Sequence, residues 1–232
     1  MEGQVPSEKK TDPRWMVLGA FVLIALVIVA AIVIPRSGGD DDSKETAVDA
    51  NGCKEVDAPE PKQVSLKAPE QTLEKGEEAT VVVETSCGTF EIALDTERAP
   101  KTANSFAYLA EEGFYDDLTF HRIVPEFVIQ GGDPEGTGSG GPGYSVEEKP
   151  PADASYTKGV VAMAKTATEP PGTSGSQFYV VTGADAGLPP EYAIVGKVNE
   201  GLDVVETIGS VPVEGESPKK PVVIETVTIE KG

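Results

Sequence analysis

Histidine and cysteine are nearly missing from this sequence: 232 residues contain one His, His121, and two Cys, Cys53 and Cys87. A single imidazole excludes an HExxH zinc site, which needs two, and leaves only His121 for any Ser-His or Cys-His pair. Cysteines some thirty residues apart form neither a zinc ribbon nor a redox CxxC. Basic residues are scarce too. Lys and Arg number 19 against 39 Asp and Glu, a formal charge of −20. A nucleic-acid backbone is bound through clustered Lys and Arg, so that class of partner is excluded. Gly and Pro, at 25 and 19, are above average but short of a low-complexity chain. The composition is that of a globular protein with many turns, and not of a metalloenzyme.

What the sequence does have is one long apolar run. Met16 to Ile34 is nineteen residues without a charged or polar side chain. As a helix it is about 28 Å long, close to the hydrocarbon thickness of a bilayer. A signal peptide has a shorter apolar core and a small-residue cleavage site, whereas this run ends in Pro35-Arg36-Ser37-Gly38-Gly39. It therefore reads as an uncleaved transmembrane anchor. Lys9, Lys10 and Arg14 precede it and Asp40-Asp41-Asp42 follow, with Trp15 at an interfacial position. By the positive-inside rule, residues 1–15 form a short cytoplasmic tail and the C-terminal part lies outside. The expected location is the cell membrane, single-pass, with the main domain extracytoplasmic.

Residues 35–78 read as an acidic, Pro-containing tether that buries too little to offset its ordering entropy. From Ala79 the pattern changes. Val81–Thr85 and Phe90–Asp95 are β-rich, the second strictly alternating, with a turn at Ser86–Thr89. A helix follows, with Pro100 in its first turn, an apolar face of Ala103, Phe106, Ala107 and Ala110, and Gly113 as its stop. Further short strands are predicted at Thr119–Ile123, Phe127–Gln130, Val160–Ala164, Phe178–Thr182, Ala193–Val198 and Val222–Ile229, and a second helix at Gly201–Ile208. Many short strands with few helices indicate a mainly β antiparallel sandwich or barrel.

Three motifs weaken on inspection. Gly136–Gly141 matches GxGxxG, but Pro142-Gly143 follows where a dinucleotide site needs a helix, so it is a surface loop. His121, beside Arg122 in a strand, reads as a packed, hydrogen-bonded structural residue. Gly172–Ser176 lacks the last Gly of a nucleophile elbow. Cys53 and Cys87 both fall on the expected outer side, where disulfides persist, and are either bonded to each other or free thiols. The informative stretch is Phe120 to Asp133, in which Arg122, Phe127 and Gln130 can set a cation, an aromatic ring and an amide around one concave surface.

Phe120-His121-Arg122-Ile123-Val124-Pro125-Glu126-Phe127-Val128-Ile129-Gln130-Gly131-Gly132-Asp133-Pro134 resembles the signature of the cyclophilins, peptidyl-prolyl cis–trans isomerases. Gly175-Ser176-Gln177-Phe178-Tyr179 is similar to the family's second signature, and Val160–Ala164 and Ile194–Val198 agree in order and spacing. The resemblance runs from about residue 80 to the end and, taken with the anchor, is to a membrane-anchored bacterial form. It implies an eight-stranded antiparallel β-barrel capped by two helices over residues 79–232, and no cofactor or metal. It also implies a role for each matching residue. Arg122 is similar to the catalytic arginine, and Phe127, Val128, Tyr179 and Leu188 to the proline pocket. Gln130 corresponds to the residue that holds the substrate carbonyl, and Ala164, Lys165 and Gln177 to the wall along the peptide. The sequence departs from the familiar eukaryotic pattern at Lys165 (for Asn), Val128 (for Met), Tyr179 (for Phe), Gly187 (often Trp) and Tyr192 (often His). The last two bear on cyclosporin binding more than on catalysis.

The implied partners are proline-containing peptides and folding proteins. The implied activity is X-Pro isomerisation during folding of extracytoplasmic proteins; the alternative is a cyclophilin-like proline-peptide binding or chaperone module with incidental catalysis.

Overall fold

The computed structural model describes residues 47–232. The expected span Met16–Ile34 lies outside them; among the described residues no helix is long and apolar enough to cross a membrane.

Among the described residues fifteen elements follow one another: β1 (Ala79–Thr85), β2 (Gly88–Leu94), α1 (Pro100–Glu111), β3 (Leu118–Thr119), β4 (Arg122–Val124), β5 (Val128–Gly131), β6 (Val146–Glu147), β7 (Val160–Met163), β8 (Thr173–Ser174), β9 (Phe178–Val181), β10 (Ile194–Glu200), α2 (Leu202–Gly209), β11 (Val213–Glu214), β12 (Ser217–Pro218) and β13 (Val223–Lys231). Alternation builds the first hairpin. Val81 and Val83 of β1 face Ile92 and Phe90 of β2, all four within 1 % of full burial, while Glu84 and Ala93 point out. Period-two patterning fixes this register, because a slip of one residue would turn the apolar set to solvent.

The main sheet is antiparallel, in the order β3-β13-β1-β2-β10-β7-β9-β5-β4. Its two edge strands are separated in the chain by Phe120 and His121 alone. So short a connection spans about 10 Å at most, and the sheet must curl until its edges approach. The run expected as one strand, Thr119–Ile123, is divided here: Phe120 turns into the core at 0 % exposure, its N–H donating to Val222 O, and Ile123 N–H donates to Glu216 O. Counting its two halves as one gives the eight strands expected; as paired, there are nine. Two small antiparallel pairs, β6 with β8 and the hairpin β11–β12, escaped the sequence reading because two residues are too few to show a period.

Helix α1 packs on β13 and β10, and α2 on β2, β5 and β4. Pro100 occupies the first turn of α1. Gly201 caps α2 with φ 72°, and a Cβ there would sit 2.4 Å from Thr89 O, so only glycine fits. The core centres on Phe106, Tyr115, Phe120 and Phe178, whose rings meet mostly edge to face at centroid distances of 5.0–6.0 Å.

Residues 47–78, part of the segment read as a tether, lie along the domain. Cys53 and Cys87 form a disulfide, joining the segment to the β1–β2 turn. Leu73 is 1 % exposed, and Val64 and Leu66 pack against the core. The sequence reading weighed average polarity, but a few spaced apolar residues and one covalent link are enough to order an extended segment along a preformed surface.

Candidate active site

The hairpin β4–β5 explains the spacing of the signature. Arg122 and Gln130, eight residues apart, are direct partners across the hairpin, as are Val124 and Val128. Pro125 and Glu126 form the turn between them, closed by Phe127 N–H to Val124 O at 3.1 Å, with Glu126 at φ 57°. A residue in that position with φ above zero is the mark of a turn that reverses within four residues. The next strands extend the row. Gln130 pairs with Tyr179 on β9, and Tyr179 with Ala162 on β7. Arg122, Gln130, Tyr179 and Ala162 thus share one row and one face.

On that face lies a pocket of about 290 Å³ lined by Arg122, Phe127, Val128, Gln130, Ala164, Lys165, Tyr179, Leu188 and Tyr192. Its floor is a small apolar cluster. Val128, Ala162, Tyr179 and Val181 are at most 4 % exposed, and Phe127, Leu188 and Tyr192 pack against them. Tyr156, which the sequence reading did not single out, braces the floor from below. Its hydroxyl donates to Tyr192 O at 2.8 Å and accepts from Tyr192 N–H at 3.0 Å. The Tyr179 hydroxyl is buried without a partner among the described residues, and burial pushes its pKa far above the usual phenol value.

Gln177 is the one predicted site residue that does not line this pocket. It lines an adjoining groove of about 600 Å³ that shares Gln130, Ala164 and Lys165 with the pocket and is walled by the glycine loop up to Ser145. A chain of bonds links the two. Arg122 Nη1 donates to Gln130 Oε1 at 3.3 Å, Gln130 Nε2 to Gln177 Oε1 at 3.0 Å, and Gln177 Nε2 to Gly140 O at 2.9 Å. Gln130 is thereby held with both amide atoms engaged.

Arg122 has a second partner that no motif announced. Glu216, in the turn between β11 and β12, accepts from Nε at 2.7 Å and from Nη2 at 3.3 Å. The guanidinium beside it holds the Glu216 carboxyl below the usual carboxylate range. A guanidinium has five N–H donors; among the described residues three are used, and one on each terminal nitrogen remains for a ligand. Glu216 lies 94 residues from Arg122, in a two-residue turn without sequence periodicity, so no local signal pointed to it.

Lys165, expected along the peptide wall, has its ammonium already engaged. It pairs with Glu191 at 3.2 Å, donates to Thr166 O and Glu169 O at 3.3 Å and stands 5.4 Å from the Tyr192 ring centre. Its side chain is 3 % exposed, so it closes the pocket rim as a fixed part and not as a mobile charge. His121 is packed as expected but not hydrogen-bonded: neither ring nitrogen has a partner among the described residues. Burial, with Arg122 beside it, lowers its pKa against the opposing pull of Asp133, so at neutral pH the imidazole is uncharged.

The arrangement provides a cation with two free N–H groups, an amide fixed at its side and an apolar floor suited to a small saturated ring. Comparison with known proteins decides the family: the model for "Cyclophilin type peptidyl-prolyl cis-trans isomerase/CLD" matches residues 80–229. This chain is a cyclophilin. Residues 80–229 exclude the expected anchor, so the match carries the isomerase domain alone. This cyclophilin is 42 % identical over 140 residues to the peptidyl-prolyl cis-trans isomerase-like 1 of Neurospora crassa, covering 59 % of this chain and 84 % of that one. It is 40 % identical over 146 residues to the mouse protein of the same name, covering 61 % and 85 %. Among solved structures, a cyclophilin-type isomerase of Cryptosporidium parvum, crystallised in the presence of the dipeptide Ala-Pro, aligns with TM-score 0.61 and 30 % identity, covering 66 % of this chain and 99 % of that one. The family is one of peptidyl-prolyl cis–trans isomerases, enzymes that act on X-Pro bonds.

Proposed function

We propose that this cyclophilin is tethered to the cell membrane by Met16–Ile34 and accelerates X-Pro isomerisation in proteins folding on the extracytoplasmic side, which in a bacterium is the cell-wall side. The observation that carries the enzymatic part is the pocket itself, with Arg122 and Gln130 in one row above an apolar floor. The uninterrupted apolar run supports the anchor. The Cys53–Cys87 disulfide supports an oxidising compartment.

An X-Pro bond prefers trans by only about 0.5–1 kcal/mol, yet turns over in tens to hundreds of seconds. The obstacle is amide resonance, with a barrier of about 18–20 kcal/mol. As the C–N bond twists, resonance is lost and the prolyl nitrogen regains a lone pair. The two free N–H groups of Arg122 bind that nitrogen better than the planar one, which is the differential binding that lowers a barrier. Gln130 holds the substrate carbonyl while the bond turns. Phe127, Val128, Tyr179 and Leu188 fix the proline ring, and Ala164, Lys165 and Gln177 flank the peptide. A charged hydrogen bond contributes about 1.5–3 kcal/mol, or about 10- to 150-fold in rate. The remainder comes from an apolar, preorganised site.

NMR exchange spectroscopy on an X-Pro peptide, with the full chain in detergent micelles beside Arg122→Ala, tests this reading. Fast exchange that falls by about 10- to 150-fold in the variant is expected. A folded wild type that binds the peptide without exchanging it would make the protein a binding module. Protease added outside intact cells should remove the domain and leave the N-terminal tail; protection of the domain would refute the proposed orientation.

A further inference from the structure

The loop that walls the groove holds four glycines within Glu135–Gly141, a composition with much backbone freedom to lose on ordering. Two things hold its shape. One lies within the loop: Asp133, 1 % exposed, accepts from Glu135 N–H at 2.8 Å and from Gly138 N–H at 2.5 Å. The other comes from the segment before the domain. Lys62 N–H donates to Pro134 O at 2.7 Å and Leu66 N–H to Pro142 O at 2.7 Å, so the segment grips both feet of the loop. Contact is close enough that a Cβ on Gly143, at φ +90°, would stand 2.9 Å from Ser65 Oγ. The segment is itself fastened on either side: the Cys53–Cys87 disulfide lies before it, and Asn104 of α1 accepts from Thr72 N–H at 2.8 Å and Leu73 N–H at 2.9 Å after it.

We propose that residues 62–66 act as a positioning strap for the substrate groove, setting the glycine loop against Gln177 so that peptides longer than the X-Pro unit are held. The proposal rests on the isomerase reading of the pocket and adds a part outside the family match, which begins at residue 80. The route is continuous. The strap fixes Pro134 and Pro142, and the loop between them presents Gly140 O to Gln177 along the groove. An X-Pro unit alone occupies the pocket and is insensitive to the strap. A longer peptide also enters the groove and depends on it.

Lys62→Pro with Leu66→Pro in the full chain removes both N–H donors. Leu66→Ala keeps the N–H and loses the side chain, and Lys62→Pro alone serves where the double variant is poorly folded. Amide exchange at 136–141 and NMR titration with an Ala-Pro dipeptide and with a peptide lengthened by three residues on each side are the readouts. We expect loop exchange and the Kd of the long peptide each to rise about tenfold in the double variant, as for two hydrogen bonds of ordinary net strength. The dipeptide Kd should stay within about twofold, and Leu66→Ala should leave loop exchange near wild type. Unchanged loop exchange and long-peptide affinity would overturn the proposal, as would equal weakening of both peptides. Neither readout needs turnover, so a failure of the isomerase reading, seen as absent exchange with wild type, is separately visible.

Discussion

The strands β5, β7 and β9 are buried on both faces, and the two faces do different things. The inner face places Ile129, Val161, Met163, Phe178 and Val180 in the main core, each at most 1 % exposed. The outer face, one residue out of phase, places Val128, Val160, Ala162, Tyr179 and Val181 in the small cluster under the pocket. Inner residues meet a large core of rings and aliphatics from both helices and most of the sheet. Outer ones meet a thin layer whose other side is open to a ligand. Stability is concentrated on the first face and recognition on the second, which separates their mutational signatures although neighbouring residues alternate between them.

The largest effect belongs to the inner face. Phe178 touches Phe106, Tyr115 and Phe120 edge to face, so Phe178→Ala leaves a large cavity. A loss of about 3–5 kcal/mol in urea unfolding is expected, with peptide Kd little changed for the folded fraction. A loss near 1 kcal/mol, or a Kd changed as much as stability, would erase the distinction between the faces.

This division also explains what was legible in the sequence. The β-rich run Val81–Thr85 and the alternation in Phe90–Asp95 showed where the strands of the one-sided hairpin lie, and in the second the polar residues mark the solvent face. Val160–Met163 and Phe178–Val181 are apolar throughout, so they read as strands without revealing which residues face the pocket; the register Gln130↔Tyr179↔Ala162 supplies that. The signature residues Arg122, Phe127 and Gln130 were readable through resemblance, and the β4–β5 hairpin shows why their spacing works. Glu216, Tyr156 and the order of residues 47–78 were not readable, because each depends on contacts between distant segments. The strand count of the main sheet differed because one short run crosses between the sheet's edges.

A smaller effect tests the rim of the outer face. The Glu216 side chain is 57 % exposed, and its pair with Arg122 is therefore screened. Glu216→Ala should lower kcat/KM by no more than about fivefold, through kcat, since an exposed pair contributes at most about 1 kcal/mol. Glu216→Gln, which keeps an acceptor for Nε, should recover part of the loss. The carboxyl titrates below its usual range when paired, so the Glu216 contribution persists through neutral pH and fades only as pH falls through that lowered value. A loss as large as that of Arg122→Ala would mean that Glu216 takes part in the chemistry and not in positioning.

The smallest effect is the sharpest on the difference between floor and core. Tyr179 lies on the outer face with its hydroxyl buried and without a partner among the described residues, while Tyr115, in the main core, donates to Ser176 O at 3.1 Å. A buried hydroxyl without a protein partner costs about 1–3 kcal/mol. Tyr179→Phe removes that cost at the loss of one polar atom, and should raise stability by about 1 kcal/mol, while Tyr115→Phe should lower it by about the same amount. Peptide Kd should not change in either case if the floor binds the proline ring through its apolar surface alone. A weaker Kd in Tyr179→Phe only would show that the hydroxyl turns to meet the peptide, making the unpartnered group a donor held ready for its ligand.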